Sequence, residues 1–99
     1  MTSKQRAILR GQANSLEPLF QIGKGGISDA FIKQAEDALY KRELIKLKVL
    51  LETSPITPRQ AADEIAERTG AEVVQVVGGS MVFYKYNPEL HKDEKKKKK

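Results

Sequence analysis

Between residues 43 and 52 the chain alternates. Ile45, Leu47, Val49 and Leu51 fall on one side, and Lys46 and Lys48 on the other. A period of two sends successive side chains to opposite faces of a strand, so this run predicts a strand with one buried face and one wet face. Such a strand must pair its backbone with other strands and bury its apolar face under another layer. The rest of the chain has to supply both.

Helices are marked by their caps. Thr2 followed by Gln5 has capping-box spacing, and Ile8, Leu9, Gln12 and Ala13 then share a rough helical stripe. This predicts a first helix over residues 3–13, weakened by Gly11 by about 1 kcal/mol relative to alanine. Asn14 and Ser15 stop it, and Pro18 cannot continue it. Ser28 caps a second helix with Asp29 in its first turn, where a carboxylate suits the helix dipole. Phe31, Ile32, Ala35, Ala38 and Leu39 form its apolar face, and Lys41 and Arg42 close it. Thr57, Pro58 and Gln60 open a third helix, Ala61, Ala62, Ile65, Ala66 and Thr69 form its narrow packing stripe, and Gly70 ends it. Its outer face, Asp63, Glu64 and Glu67, is acidic and should not meet nucleic acid.

Residues 19–22 read as a short strand, and residues 72–77 and 80–86 as two strands joined at Gly78-Gly79. The expected fold is a compact α/β domain of order α-β-α-β-α-β-β, with a four-stranded mixed sheet and packed helices. Ninety-nine residues suit one domain, placed at 1–87, with residues 88–99 as a lysine-rich tail expected to be disordered. No apolar run approaches a membrane span, no secretory signal opens the chain and there is no cysteine, so a cytoplasmic protein is the simplest expectation.

The net charge of +5 is uneven: residues 1–51 carry +4, residues 52–90 carry −3 and residues 91–99 carry +4. That polarity suggests one basic and one acidic surface, the basic one suited to capturing a polyanion. Lys46 and Lys48 either solubilise a strand face or belong to a basic platform.

Gly23-Lys24-Gly25-Gly26 stands between the first strand and the second helix. Glycines leave backbone N–H groups open to a large ligand, the nearby helix start adds free donors and partial positive charge, and Lys24 adds a full one. Together they make an anion cradle suited to phosphate. The same glycines would also serve a tight strand-to-helix turn, and the loop alone does not choose.

Catalytic chemistry has little to work with. The single histidine, His91, lies at the root of the tail. Glu36-Asp37 and Asp63-Glu64 are neighbours on helices and diverge by about 100°. No string matches a nucleotide-binding P-loop or a dinucleotide fingerprint. No metal site or cofactor is expected, and binding without catalysis is the economical reading. Tyr84 or Tyr86 could reach a base or close the edge of a small core.

Four segments in order resemble the CRM domain family, the RNA-binding domain of bacterial YhbY-type proteins. They are Leu9-Arg10-Gly11-Gln12-Ala13, Gln21-Ile22-Gly23-Lys24-Gly25-Gly26, Ala38-Leu39 with Glu43-Leu44-Ile45-Lys46-Leu47-Lys48, and Thr69-Gly70-Ala71 with the closing hairpin through Val82-Phe83-Tyr84-Lys85. The resemblance covers about residues 3–86. It implies a fold similar to the C-terminal domain of translation initiation factor 3. It also implies a GxxG loop that clamps RNA backbone, as in KH domains. Bacterial members of this kind are associated with assembly of the large ribosomal subunit, and plant organellar relatives with group II intron splicing. The expectation is thus a non-enzymatic, monomeric binder of large-subunit ribosomal RNA, with no membrane partner. Gly23, Lys24, Gly25 and Gly26 would form the loop, and Arg6, Arg10, Lys33, Lys46 and Lys48 would supply further phosphate contacts. Two other classes compete: a protein adaptor docking on a ribosomal protein through the acidic third helix, and an enzyme acting on a phosphorylated metabolite.

Overall fold

A computed structural model describes residues 2–52, 54 and 56–91. Helices α1 (Ser3–Ala13), α2 (Asp29–Arg42) and α3 (Pro58–Thr69) alternate with strands β1 (Gln21–Ile22), β2 (Leu44–Val49), β3 (Glu72–Val77) and β4 (Ser80–Tyr84) in the expected order. The sheet order is β1-β2-β4-β3. β1 runs parallel to β2, and the other pairings are antiparallel.

The caps are those the chain announces. Thr2 and Gln5, and Thr57 and Gln60, bond reciprocally across the first turns of α1 and α3. The Ser28 hydroxyl accepts the Phe31 N–H at 3.0 Å, and Gly70 closes α3 at φ +78°. Each box satisfies two N–H groups that a helix start would otherwise leave open.

α2 and α3 cover one face of the sheet. Ile22, Leu39, Ile45, Leu47, Ile65, Met81 and Phe83 meet there with almost no exposure. Each such side chain contributes about 1.5–3 kcal/mol through burial. Phe20 and Phe31 pack edge to face at 6.2 Å between ring centres beside this core. The other face of the sheet is not simply wet. α1 lies on part of it, packing Leu9 and Ala13 against Leu44, Val74, Val82 and Tyr84.

Four local readings are corrected. β2 stops at Val49, and Leu51 stands 63% exposed, because the chain turns away after the Leu50 N–H bonds the Ile22 carbonyl. Glu43 is not part of the strand but caps α2 at φ +64°. β3 is bulged: Val73 pairs with Phe83 and Gln75 with Val82, so Val74 is an extra residue, and it fills the α1 cluster. β4 ends at Tyr84, short of the expected residue 86, and Pro88–His91 forms a 3₁₀ turn. The remainder of the lysine-rich tail, residues 92–99, lies outside the described residues.

Asn87 anchors the chain there. The residue is 6% exposed, and its side-chain amide donates to the Tyr40 carbonyl at 2.6 Å. Its backbone N–H donates to the Glu43 carboxylate at 2.7 Å, and its Oδ1 accepts the Glu89 N–H at 3.0 Å. This holds the strained Glu43 corner against the end of α2. Asn87→Ala leaves the Tyr40 carbonyl and the Glu89 N–H without this partner and should cost about 2 kcal/mol, read by urea denaturation.

Candidate nucleic-acid interface

β1 ends at the buried Ile22 and hands the chain to the glycine loop. The Gly26 N–H donates to the Gly23 carbonyl at 3.0 Å, so the four residues form one closed turn. Gly26 has φ +66°, a conformation most side chains resist. Lys24 and Gly25 form the exposed tip. Their backbone N–H groups make no hydrogen bond within the described residues. Ile27 then anchors against the core, and Ser28 starts α2 two residues beyond the turn. An exposed turn, two free amides, a lysine and a helix N-terminus thus lie within a few residues of one another.

A carboxylate at this place would oppose an anion, and Asp29 is one. Arg68, in the last turn of α3, bonds the Asp29 carboxylate and also reaches Glu64 at 3.3 Å. The bond to Asp29 is the main reason its guanidinium is held above its ordinary basicity. The negative charge beside the loop is therefore offset by a residue 39 positions away, which the sequence reading passed over.

The remaining candidates distribute unequally. Lys48 pairs in register with Gln21, two residues before the loop, and is exposed. Lys46 is half-buried in a groove of about 390 Å³ between α1, β2 and the end of α2. Arg42 lines the same groove with Gln12, Leu16 and Leu19. Its place beside Lys46 makes it a fourth charge along the β1 edge with Lys24 and Lys48. Lys33 is exposed on α2, just past its first turn. Arg6 and Arg10 are exposed on α1, and neither lines the groove that holds Lys46 and Arg42. Lys48, Lys46 and Arg42 thus follow one another from the loop end of β1, Glu17 lines the groove with the last two, and Arg6 and Arg10 do not line it.

Of the two tyrosines near the end of β4, Tyr84 packs on the α1 cluster, and Tyr86, two residues past the strand, is 53% exposed. Lys85 between them donates to the Thr69 carbonyl at 2.7 Å, so its charge serves the end of α3. Burial, then Glu43, Tyr86 and Glu72, raise the Tyr84 phenol above its ordinary 10.0. The phenolate is therefore disfavoured in the fold. The stability this group contributes is present below pH 10 and is lost as pH rises through the folded value. An alkaline absorbance titration should show Tyr84 ionising above its ordinary 10.0, with the denaturation midpoint falling over the same range.

Among the described residues, no group of three His, Asp or Glu side chains could hold a metal ion, and no helix is long and apolar enough to cross a membrane. The arrangement offers charge and open amides to an anionic chain.

A family model described as the CRS1 / YhbY (CRM) domain matches residues 1–85. The chain belongs to this family. The Bacillus subtilis protein named "Probable RNA-binding protein YqeI" is 39% identical over 89 residues, 90% of this chain and 92% of that protein. A Haemophilus influenzae protein named RNA-binding protein is 32% identical over 90% of this chain and 89% of its own length. The solution structure of SAV1595 from Staphylococcus aureus superposes with a TM-score of 0.74 at 42% identity, covering 88% of this chain and 90% of that one. The CRM fold and the α-β-α-β-α-β-β order expected for it are thus both present.

Proposed function

We propose that this CRM domain binds structured RNA without acting on it chemically. The glycine loop clamps the phosphate backbone, and the basic β1 edge extends the contact. The observation that carries this reading is the closed turn whose exposed tip offers Lys24 and two unbonded amides just ahead of α2. The names of the relatives agree with it. Large-subunit ribosomal RNA is the proposed target and subunit assembly the proposed setting, in line with the family resemblance. The adaptor reading through α3 loses ground, because Asp63 and Glu64 pair with Arg59 and Arg68 within that helix and leave its face less negative than its composition.

The test begins with cross-linking to cellular RNA, comparing the intact chain with Lys24→Ala. Reads should concentrate on large-subunit ribosomal RNA and fall in the variant. In vitro, Lys24→Ala should weaken binding to all RNAs alike and make the salt dependence shallower by roughly one unit of slope. An unchanged slope and affinity would remove the loop from the mechanism.

A further inference from the structure

Two tyrosines remain unused by the RNA interface. Tyr40 and Tyr86 are 57% and 53% exposed, and both line one cleft of about 410 Å³ with Glu36, Asp37, Asn87 and Pro88. We propose that this cleft is a docking site for a basic segment of a partner protein, with an arginine or lysine side chain lying against the tyrosine rings.

The chemistry matches a cation. The face of a tyrosine ring attracts guanidinium and ammonium groups. Glu36 and Asp37 precede Tyr40 by four and three residues, so α2 carries all three on one side. Both carboxylates line the cleft. Lys85 also borders it, but its ammonium group is held at the Thr69 carbonyl. A polyanion would meet the two carboxylates, so RNA is the wrong occupant, and a positively charged segment is the complementary one.

The cleft is also built to keep its shape. Asn87 ties the far wall to α2 through the Tyr40 carbonyl and to the Glu43 carboxylate. Tyr86 and Pro88 flank that anchor on either side, so less ordering is left for binding to supply. Its position leaves the loop unobstructed. β2 begins at Leu44, next to the Glu43 corner, and ends at Val49, paired with Ile22. The two sites therefore lie at opposite ends of a six-residue strand, roughly 17 Å apart. The proposal does not depend on what the loop binds.

The test is fluorescence anisotropy of a labelled peptide of alternating arginine and glycine, about ten residues long, with the intact chain. Its citrulline analogue, which lacks the charge, is the control. The arginine peptide should bind and the analogue should not. Tyr40→Leu and Tyr86→Leu, which keep bulk and remove the ring, should each weaken binding about threefold to fivefold. Glu36→Gln/Asp37→Asn should weaken it about tenfold at low salt. Asp63→Asn/Glu67→Gln removes as much charge from α3 and should change it less than about twofold. Thermal melts of each variant establish that the fold is kept. Equal losses in the α2 and α3 charge variants would mean diffuse attraction and would overturn the proposal, as would unchanged binding in both tyrosine variants. Peptide binding that emerges only when residues 92–99 are deleted would assign the cleft to the chain's own lysines and overturn a partner as its occupant.

Discussion

Replacing Gly25 with aspartate should lower RNA affinity roughly 100-fold and leave the thermal midpoint where it was. A side chain built at Gly25 meets nothing within 4 Å, so the fold has no steric objection. The penalty falls on the ligand. In the proposed complex the sugar–phosphate chain lies against the tip of the turn, and a carboxylate there repels it and pairs with Lys24. Loss of one charge-assisted hydrogen bond costs about 1.5–3 kcal/mol, and repulsion adds to it. Gly25→Ala separates the two causes, since it adds bulk without charge and should lose much less. Equilibrium binding at two salt concentrations, beside thermal melts, measures all of this. Full affinity in Gly25→Asp would mean that RNA does not approach the loop.

Gly79→Ala should do the reverse, destabilising the fold by about 3 kcal/mol while leaving the loop untouched. A methyl group at Gly79 would sit 2.7 Å from the Val49 carbonyl oxygen. That neighbour is backbone and cannot rotate away. The Val49 N–H also donates to the Gly79 carbonyl at 2.7 Å, so separating the two segments breaks a hydrogen bond. Overpacking of about 1–3 kcal/mol and loss of that bond, about 1 kcal/mol, act together. For a domain of this size the thermal midpoint should fall by roughly 10–20 °C. A midpoint within a degree or two of the parent would show that β2 and the hairpin can part at little cost. The two glycines look alike in the sequence. One faces open space, and the other faces the backbone of a neighbouring strand.

That contrast marks the limit of what could be read in advance. The three helices were legible because their signals are local. Thr2 with Gln5, Ser28 with Phe31, and Thr57 with Gln60 each act across three residues. The alternation through Ile45, Leu47 and Val49 placed those side chains in the core for the same reason, since period two is a property of the strand itself. Leu51 fits the same pattern and is exposed, because only its neighbours decide where the strand stops. The glycine loop was found from composition and position alone.

The missing parts of the interface involve partners distant in sequence. Arg68 offsets Asp29 across 39 residues, and Arg42 meets Lys46 only because α2 and β2 fold back on each other. Glu36 and Asp37 read only as diverging helix neighbours, and it is Asn87, 47 positions beyond Tyr40, that closes a wall beside them. Linear charge blocks placed these acids in the basic half of the chain.

The sequence by itself determined the order of helices and strands, the caps that begin the helices, most of the apolar faces and the glycine turn. Each depends on steric and hydrogen-bonding rules acting over a few residues. The tertiary structure decided that α1 covers part of the second sheet face, that Val74 bulges, that Gly79 has no room for a methyl group, and which charges share a surface. Those outcomes depend on packing between segments far apart in the chain, and no local pattern encodes which residues will meet there.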